Sequence, residues 1–439
     1  MSQNDSLNGF PNASRNPPSD TCSAPAHLVI VGNGMAGHRL LSALLKRPDR
    51  PDRITVIGEE ASPAYNRILL SPWLAGEIER SALDLPLEDV ATAGVTWRLG
   101  ERVVAIDRRR RRIRTDRGEQ VAYDRLVLAT GSRPALPDVP GIRLGNVGGF
   151  RDFVDTAWLT SRPVGSRAVV IGGGLLGLEA AEGLRKRGLT VSVLQRSERL
   201  MNRQLDETAA SWLRTELESR GLTIETHAHL AACEGDTDGN VVAVRLEDGR
   251  RLPADCVVVA AGIKPHTALA RQSGLHVARG IVVDATLTTS DPAIHALGDC
   301  CEFEGNTYGL VDPIWRQVDV LAARLCGQRS APYREIPCAT RLKVADISIF
   351  AFGPVEIPPG HETLTYADAE NGDYRRLLLH DDRLVGAVLY GDTIAGPGYF
   401  HHAREAHDLS ACRDVLLFGA DDATRLLADN ATDKLEEAA

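Results

Sequence analysis

The sequence predicts an α/β fold with two nucleotide-binding units and a small α+β segment at the C-terminal end. Two glycine-rich motifs support this prediction, Gly32–Gly37 (GNGMAG) and Gly172–Gly177 (GGGLLG), and their first glycines lie 140 residues apart. Each motif follows a short apolar run, His27–Val31 or Ala168–Ile171, and precedes a segment with helical periodicity. A Gly-x-Gly-x-x-Gly motif at a strand-to-helix turn is typical of a Rossmann-like dinucleotide-binding domain. The two motifs therefore predict two Rossmann-like domains.

The three glycines of such a motif have different physical roles. The first allows a tight turn, the second lets the backbone approach a pyrophosphate, and the third lets the helix pack on the strand. The helix N-terminus then directs unpaired N–H groups and a partial positive charge at the phosphates. The cofactor-binding residues predicted in the two motifs are Gly32, Gly34, Met35, Ala36, Gly37, Gly172, Gly174, Leu175, Leu176 and Gly177.

Length and composition narrow the class of protein. The chain has 439 residues, of which 43% are hydrophobic, enough for two or three domains. Its net charge of -9 argues against nucleic acid as a partner. No run of about 18 apolar residues occurs, so no membrane span is expected. The first 25 residues are polar and lack the apolar core of a signal peptide, which predicts a disordered tail and a cytoplasmic protein.

The eight cysteines include no Cys-x-x-Cys pair. This spacing predicts neither a disulfide framework nor an iron–sulfur or zinc site, and no metal site is expected. Adjacent Cys300 and Cys301 can form only a strained disulfide, so packing is the favoured interpretation for both. Two dinucleotides held by one protein indicate electron transfer between them. Such a hydride transfer needs no catalytic side chain, so none is predicted.

The elements of the first unit follow in order after its glycine motif. Met35–Leu45 predicts a helix, and Ile54–Ile57 a second buried strand that ends close to Glu59. An acid at this place is the expected partner of an adenosine ribose hydroxyl. Short strands and turns are predicted over Val103–Val121, followed by the apolar strand Arg125–Gly131.

Five consecutive arginines, Arg108–Arg112, interrupt the first unit. A charged hairpin turn is the favoured interpretation. The alternative is a docking patch for an acidic electron-transfer partner.

The second unit repeats the same order of elements. A helix follows Gly177, the strand Thr190–Leu194 ends in Gln195 and Arg196, and Asp255–Ala260 predicts a further strand. Enzymes that prefer NAD usually carry an acid at the position of Gln195. A glutamine repels no 2′-phosphate, and Arg196 and Arg199 could pair with one, so the choice between NAD and NADP stays open. From about residue 332 the pattern changes to α+β, with strands near Leu342–Phe352 and Arg375–Leu389.

Residues 26–420 resemble the FAD-dependent pyridine-nucleotide reductases, and most of all the flavoprotein module of assimilatory nitrate and nitrite reductases. The resemblance implies two Rossmann-like domains of the two-dinucleotide flavoprotein type. It rests on Gly32–Arg39, Tyr65–Ser71, Gly172–Ala181, Tyr308–Val311 and Leu384–Thr393.

The resemblance also implies a division into domains. Residues 1–25 would be a tail, 26–145 and 266–331 the two parts of an FAD-binding domain, and 146–265 an NAD(P)-binding domain. Residues 332–420 would form a C-terminal interface domain, and 421–439 a second tail.

The cofactors implied by the resemblance are FAD and NAD(P)H. Arg67 would lie close to the flavin, Asp299 would accept a hydrogen bond from a ribityl hydroxyl, and Glu179 would face the nicotinamide. A lysine found after the Arg67 motif in many relatives is replaced here by Pro72. The remaining implied cofactor-binding residues are Glu59, Val104, Thr130, Gly131, Arg151, Gln195, Arg196, Gly262 and Gly298.

The implied function is electron transfer from NAD(P)H through FAD to a partner redox protein. The partner would be the catalytic subunit of a nitrate or nitrite reductase. A small iron–sulfur protein is the alternative, with the chain as a rubredoxin or ferredoxin reductase of an oxygenase system, and a redox-sensing flavoprotein is a third possibility. Only Cys22 lies within the first 150 residues, so no dithiol is expected beside the flavin. The chain lacks the cysteines of siroheme and iron–sulfur domains, so a separate electron-transfer subunit is expected; its oligomeric state is not predicted.

Overall fold

The computed structural model describes residues 26–87, 94–344 and 346–419. The predicted tails, 1–25 and 421–439, lie outside the described residues, as do Cys22 and residue 420. None of the helices in the described ranges is both long enough and apolar enough to cross a membrane.

The described residues 26–87 and 94–145 contain two α-helices and eight strands. In chain order these are β1 (His27–Val31), α1 (Met35–Leu45), β2 (Arg53–Gly58), α2 (Leu70–Leu74), β3 (Val95–Leu99), β4 (Val103–Asp107), β5 (Arg112–Thr115), β6 (Gln120–Ala122), β7 (Arg125–Leu128) and β8 (Ser132–Pro134). Strand β1 and helix α1 have the bounds that the sequence predicts. The segment predicted as short strands and turns is the antiparallel sheet β4-β5-β6.

Residues 146–265 repeat this order with additional elements. They form β9 (Val147–Gly149), α3 (Phe153–Thr160), β10 (Arg167–Ile171), α4 (Leu175–Lys186), β11 (Thr190–Leu194), α5 (Glu207–Ser219), β12 (Thr223–Glu225), β13 (Leu230–Gly235), β14 (Val241–Leu246), β15 (Arg251–Pro253), β16 (Cys256–Val259) and β17 (Ile263–Pro265). The antiparallel sheet β13-β14-β15 is the counterpart of β4-β5-β6.

The rest of the described chain contains three helices and nine strands. They are α6 (Ala268–Gln272), β18 (Ile281–Val282), β19 (Ile294–Ala296), β20 (Cys301–Phe303), β21 (Asn306–Thr307), α7 (Val311–Leu325), β22 (Thr340–Val344), β23 (Ile347–Phe352), β24 (Glu362–Asp368), β25 (Asp373–His380), β26 (Arg383–Tyr390) and α8 (Gly396–Arg404).

Two parallel five-stranded sheets form the two nucleotide-binding units. Their strand orders are β19-β7-β1-β2-β3 and β12-β11-β10-β16-β9. Strands β1 and β10 lie at the centre of their sheets, and each is followed by a glycine motif. Because ligands of open parallel sheets bind at the carboxyl ends of the strands, both motifs lie at the expected binding edge. Strand β19 joins the first sheet after the second sheet is complete, and the antiparallel ribbon β8–β17 lies where the chain passes between the two units.

The C-terminal segment is an antiparallel sheet, β22-β23-β26-β25-β24, with α8 packed against β26. The strands predicted near Leu342–Phe352 and Arg375–Leu389 correspond to two pairs, β22 with β23 and β25 with β26. Strand β24 was not predicted, because it is an edge strand with no fully buried residue and only Leu364 and Tyr366 give its sequence ETLTYAD a weak apolar alternation.

The arginine run forms the turn between β4 and β5, as the hairpin interpretation predicts. Arg108 is anchored there: its Nε lies 2.8 Å from Asp291 Oδ2, and its Nη1 donates to Gly274 O at 3.0 Å. Asp291 precedes β19, so the turn lies at the amino end of the first parallel sheet. The glycine motif Gly32–Gly37 lies at the carboxyl end. This placement disfavours a role of the arginine run in electron transfer from a cofactor bound at the motif.

Candidate dinucleotide-binding sites

The first glycine motif has the geometry of a phosphate cradle. Gly32 has a φ of +117°, and a Cβ there would lie 2.1 Å from Ala129 O. A Cβ on Gly37 would lie 2.0 Å from Gly32 O. At Gly34, in contrast, the nearest atom to a Cβ would be Arg67 Nη2 at 4.0 Å. The outer two glycines are therefore required by packing, whereas the middle one faces open space.

The second motif repeats this arrangement independently. Gly172 has a φ of +120°, and its Cβ would lie 2.4 Å from Ala260 O. A Cβ on Gly177 would lie 1.9 Å from Gly172 O, while Gly174 has nothing within 4 Å. A backbone without a side chain, open at the N-terminus of a helix, is what a pyrophosphate needs in order to approach. Both motifs therefore fit a dinucleotide such as FAD or NAD(P)H.

Arg67 lies beside the open face of Gly34. Its Nη2 donates to Glu60 Oε1, and its Nη1 donates to Arg151 O at 3.1 Å. Tyr65 OH donates to the other oxygen of Glu60 at 2.7 Å. Glu60 thus fixes the loop that carries Arg67, a role that the sequence did not reveal, although Glu60 follows the predicted Glu59 directly.

Arg151 and Asp299 meet at the same edge of the first sheet. Arg151 Nη2 donates to Asp299 Oδ2, and Ser132 Oγ donates to the same oxygen at 2.7 Å. The Asp299 side chain is only 12% exposed, so this is a largely buried charge with matched donors. Gly298 before it has a φ of +80° and donates its N–H to Gln317 Oε1 at 2.9 Å. Ser132 and Gln317 were not predicted from the sequence.

The ribbon between the two units holds three further predicted residues. Thr130 Oγ1 donates to His266 O at 2.8 Å, and Gly131, with a φ of +66°, accepts from His266 N at 2.9 Å. Gly262 has a φ of +111°, and a Cβ there would meet nothing within 4 Å, so the space beside it is open. His266 is the residue here that the sequence did not reveal.

Glu59 and Val104 lie farther along the first unit. The Glu59 side chain is 55% exposed, and its carboxylate is 3.9 Å from Arg102 Nη1. Exposure at the end of β2 leaves Glu59 accessible to a ribose. Val104 lies at the irregularity of the β4–β5 pairing, between the paired residues Val103 and Ala105.

Glu179 links the second motif to the first unit. It lies in the first half of α4, and its Oε2 accepts a hydrogen bond from Ser71 Oγ in α2 at 2.5 Å. Burial raises the pKa of Glu179, while the Ser71 hydrogen bond lowers it. Pro72 follows Ser71 in α2, and the group that contacts the Glu179 carboxyl is the Ser71 hydroxyl.

The loop after β11 carries the remaining predicted residues. Gln195 is buried, and its Oε1 accepts from Gly173 N at 2.9 Å. Arg196 is exposed. Arg199, the other arginine that could pair with a phosphate, has its Nη1 2.7 Å from Glu198, and its Nη2 contacts Glu356 in the loop between β23 and β24. Both guanidinium ends of Arg199 are thus already paired.

Cys300 and Cys301 are fully buried. Burial raises the pKa of the Cys300 thiol and raises that of Cys301 well above its usual value. Cys300 Sγ donates to Leu128 O at 3.3 Å, and Cys301 Sγ lies 3.6 Å from Gln317 Oε1. All seven cysteines in the described ranges are free thiols. Within those ranges no group of three or more His, Cys, Asp or Glu side chains could hold a metal ion.

Comparison with known proteins identifies the family. Residues 26–320 match the family model of the pyridine nucleotide-disulphide oxidoreductases. Residues 338–399 match the C-terminal domain of rubredoxin NAD+ reductase. The first match covers both parallel sheets, and the second covers strands β22 to β26.

Individual relatives agree with this assignment. The chain is 39% identical to the assimilatory nitrate reductase electron transfer subunit of Bacillus subtilis, over 83% of this chain and 48% of that protein. It therefore spans about half the length of that relative. It is also 35% identical to the ferredoxin–NAD(+) reductase component of the biphenyl dioxygenase system of Paraburkholderia xenovorans, over 82% of this chain and 88% of that protein.

Among solved structures, the covalent putidaredoxin reductase–putidaredoxin complex superposes with a TM-score of 0.79 at 27% identity. The superposition covers 91% of this chain and 99% of the matched chain. These matches confirm the predicted two-dinucleotide architecture and the predicted cofactors, FAD and NAD(P)H. The chain belongs to the pyridine nucleotide-disulphide oxidoreductase family and is an FAD-dependent NAD(P)H oxidoreductase.

Proposed function

We propose that this protein passes electrons from NAD(P)H through FAD to a separate redox protein, and that this acceptor is the catalytic subunit of an assimilatory nitrate or nitrite reductase. The similarity to the Bacillus subtilis electron transfer subunit supports the choice of acceptor. Since the chain matches about half of that relative, the acceptor is assigned from the shared reductase part alone.

One observation supports an acceptor outside this chain. Many flavoproteins with two dinucleotide sites pass electrons to a cysteine pair held beside the flavin. Among the described residues around Gly32–Gly37, the neighbouring loop instead carries Tyr65 and Arg67. The thiols of Cys300 and Cys301 are fully buried in the core. A buried thiol with a raised pKa is a poor nucleophile and a poor redox partner. Electrons held near this motif therefore have to leave for another molecule.

FAD, when bound, supplies the capacity to accept two electrons as hydride and to release them one at a time. The protein's own part is to bind and orient. We assign to FAD the residues Gly32, Gly34, Met35, Ala36, Gly37, Glu59, Arg67, Val104, Thr130, Gly131, Arg151, Gly298 and Asp299. We assign to NAD(P)H the residues Gly172, Gly174, Leu175, Leu176, Gly177, Glu179, Gln195, Arg196 and Gly262.

The two parallel sheets support the proposed domain division. Residues 26–145 and 266–331 would form the FAD-binding domain, since β19 joins the sheet of β1, and 146–265 the NAD(P)-binding domain. Residues 332–420 would form the interface domain. Its sheet contacts the second unit through Tyr374, whose hydroxyl donates to Asp206 Oδ2 at 3.0 Å.

A ferredoxin or rubredoxin reductase is the second candidate. The match to the rubredoxin reductase C-terminal domain and the similarity to the biphenyl dioxygenase component, over 88% of that protein, favour it. In this case the acceptor would be a small iron–sulfur protein. The two candidates share the flavin chemistry and differ in the protein that docks.

Reconstitution distinguishes the two candidates. The holoprotein is mixed anaerobically with NADH or NADPH and with one of three acceptors: a molybdenum nitrate reductase subunit, a siroheme nitrite reductase, or a ferredoxin or rubredoxin. Nitrate or nitrite loss that requires both proteins is the expected result. Reduction of the iron–sulfur protein alone would establish the second candidate. Slow turnover with every acceptor would contradict both and favour a redox-sensing protein. Asp299→Ala, which removes a proposed FAD ligand, serves as the inactive control.

A further inference from the structure

The loop between β11 and α5 borders the second glycine motif closely. A Cβ on Gly173 would lie 2.6 Å from Leu200 Cδ2, and Met201 N donates to Gly173 O at 2.9 Å. Residues 195–201 are therefore fixed against the glycine motif, and they begin at the end of β11, where a bound nucleotide has its adenosine ribose. A side chain that extends from this loop into solvent can reach the 2′ position of that ribose.

Gln195 is not available to bind the ribose as an acid would. Its Oε1 accepts from Gly173 N at 2.9 Å, and its Nε2 donates to Ser197 Oγ and, at 3.1 Å, to Arg199 O. Gln195 thus holds the loop onto the motif and carries no charge. A 2′-phosphate would meet no repulsion from this position.

The acids around the loop are already paired with arginines. Glu198 contacts Arg199, and Glu225 Oε2 at the end of β12 lies 2.6 Å from Arg250 Nη1. Glu356 contacts the second guanidinium nitrogen of Arg199. Arg196 is exposed and has no ion-pair partner among the residues that the structure describes.

We propose that Arg196 binds the 2′-phosphate of NADPH and that this enzyme therefore prefers NADPH to NADH. The proposal depends on the assignment of the second glycine motif to the nicotinamide nucleotide, but not on the identity of the electron acceptor. A guanidinium binds a phosphate through two parallel charge-assisted hydrogen bonds. NADH offers only a neutral hydroxyl at the same place, so Arg196 contributes to one nucleotide and not to the other.

The test is a comparison of kcat/KM for NADPH and NADH in the holoprotein, with ferricyanide as acceptor. Ferricyanide takes electrons from reduced flavin directly, so the result does not depend on the native partner. The wild-type protein is expected to prefer NADPH. Arg196→Ala should lower kcat/KM for NADPH by roughly 10- to 150-fold, the range for loss of a hydrogen bond to a charged group, and should leave kcat/KM for NADH nearly unchanged.

Two further variants and one binding measurement separate this role from a structural one. Arg196→Lys keeps the charge and should restore part of the preference. Arg109→Ala removes an exposed arginine at the turn between β4 and β5 and should leave kcat/KM for both nucleotides unchanged. Calorimetry with 2′,5′-ADP should show binding that weakens with salt in the wild type and is lost in Arg196→Ala.

An equal or greater kcat/KM for NADH than for NADPH in the wild type would overturn the proposal. Arg203 is the other exposed arginine of the loop between β11 and α5, and loss of the preference in Arg203→Ala but not in Arg196→Ala would also overturn the proposal.

Discussion

The middle glycines of the two motifs allow a sharp test of the cofactor assignment. Gly34 has ordinary extended backbone angles, φ −81° and ψ −172°, and a Cβ there would find its nearest neighbour 4.0 Å away. Gly34→Ala should therefore fold. An alanine is a poorer N-cap than glycine, but it also restricts the unfolded chain, and the two effects nearly offset each other, within about 1 kcal/mol. The melting temperature should move by no more than about 4 °C.

Cofactor binding should respond very differently. The added methyl group occupies the space through which a pyrophosphate reaches the helix N-terminus. Losing hydrogen bonds to a charged phosphate costs about 1.5–3 kcal/mol, which corresponds to roughly 10- to 150-fold weaker FAD binding. The assay is the flavin-to-protein absorbance ratio after gel filtration, together with FAD titration of the apoprotein.

Two matched variants complete the experiment. Gly174 has the same open surroundings in the second motif. Gly174→Ala should therefore weaken the binding of NAD(P)H but leave FAD bound. Gly37→Ala would place its Cβ 2.0 Å from Gly32 O and should fail to fold stably. The reasoning would be refuted if Gly34→Ala kept its full FAD content, or if Gly174→Ala lost FAD and kept its NAD(P)H affinity.

Three further predictions concern the surroundings of the site. Asp299→Asn removes the charge that pairs with Arg151 and should lower the bound-flavin ratio, whereas an unchanged ratio would argue against Asp299 as an FAD residue. Asp155 lies in the first turn of α3. Burial and the nearby Asp152 raise its pKa from 3.8 to about 6, so the Asp155 carboxyl binds a proton more tightly in the folded state than in the unfolded state. Stability should therefore fall as pH rises through about 6, and a comparison of melting temperatures should show this loss in the wild type but not in Asp155→Asn. Cys300→Ala and Cys301→Ala should both retain NAD(P)H-driven ferricyanide reduction, and a loss of turnover with flavin still bound would indicate a redox role for that thiol.

Local sequence patterns predicted the framework of the site. Strand β1 and helix α1 could be placed because an apolar run, a glycine motif and a helical periodicity follow one another within residues 27–45. The steric roles of the outer glycines were also predictable, since they depend on the turn itself. The C-terminal edge strand β24 was missed because exposed strands lack the alternation that buried ones show.

The contacts that complete the site could not be found in this way. Arg151 and Asp299 are 148 residues apart in sequence, and Ser71 and Glu179 are 108 apart. The sequence could single out each member of these pairs, but no local sequence pattern shows which residues contact one another in the fold. The surroundings of Arg199 were hidden in the same way, because its partner Glu356 lies in the loop between β23 and β24, which meets the loop after β11 only in the folded chain.

In the proposed function, hydride enters from NAD(P)H and electrons leave to another protein. The most direct test is an anaerobic two-step experiment on the holoprotein. One equivalent of NAD(P)H is added while the visible flavin absorbance is recorded, and the purified nitrate or nitrite reductase catalytic subunit is then added without its oxyanion substrate. Bleaching followed by rapid recovery of the flavin absorbance is the predicted result. Flavin that stays oxidised with NAD(P)H, or that stays reduced with every redox protein offered, would contradict it.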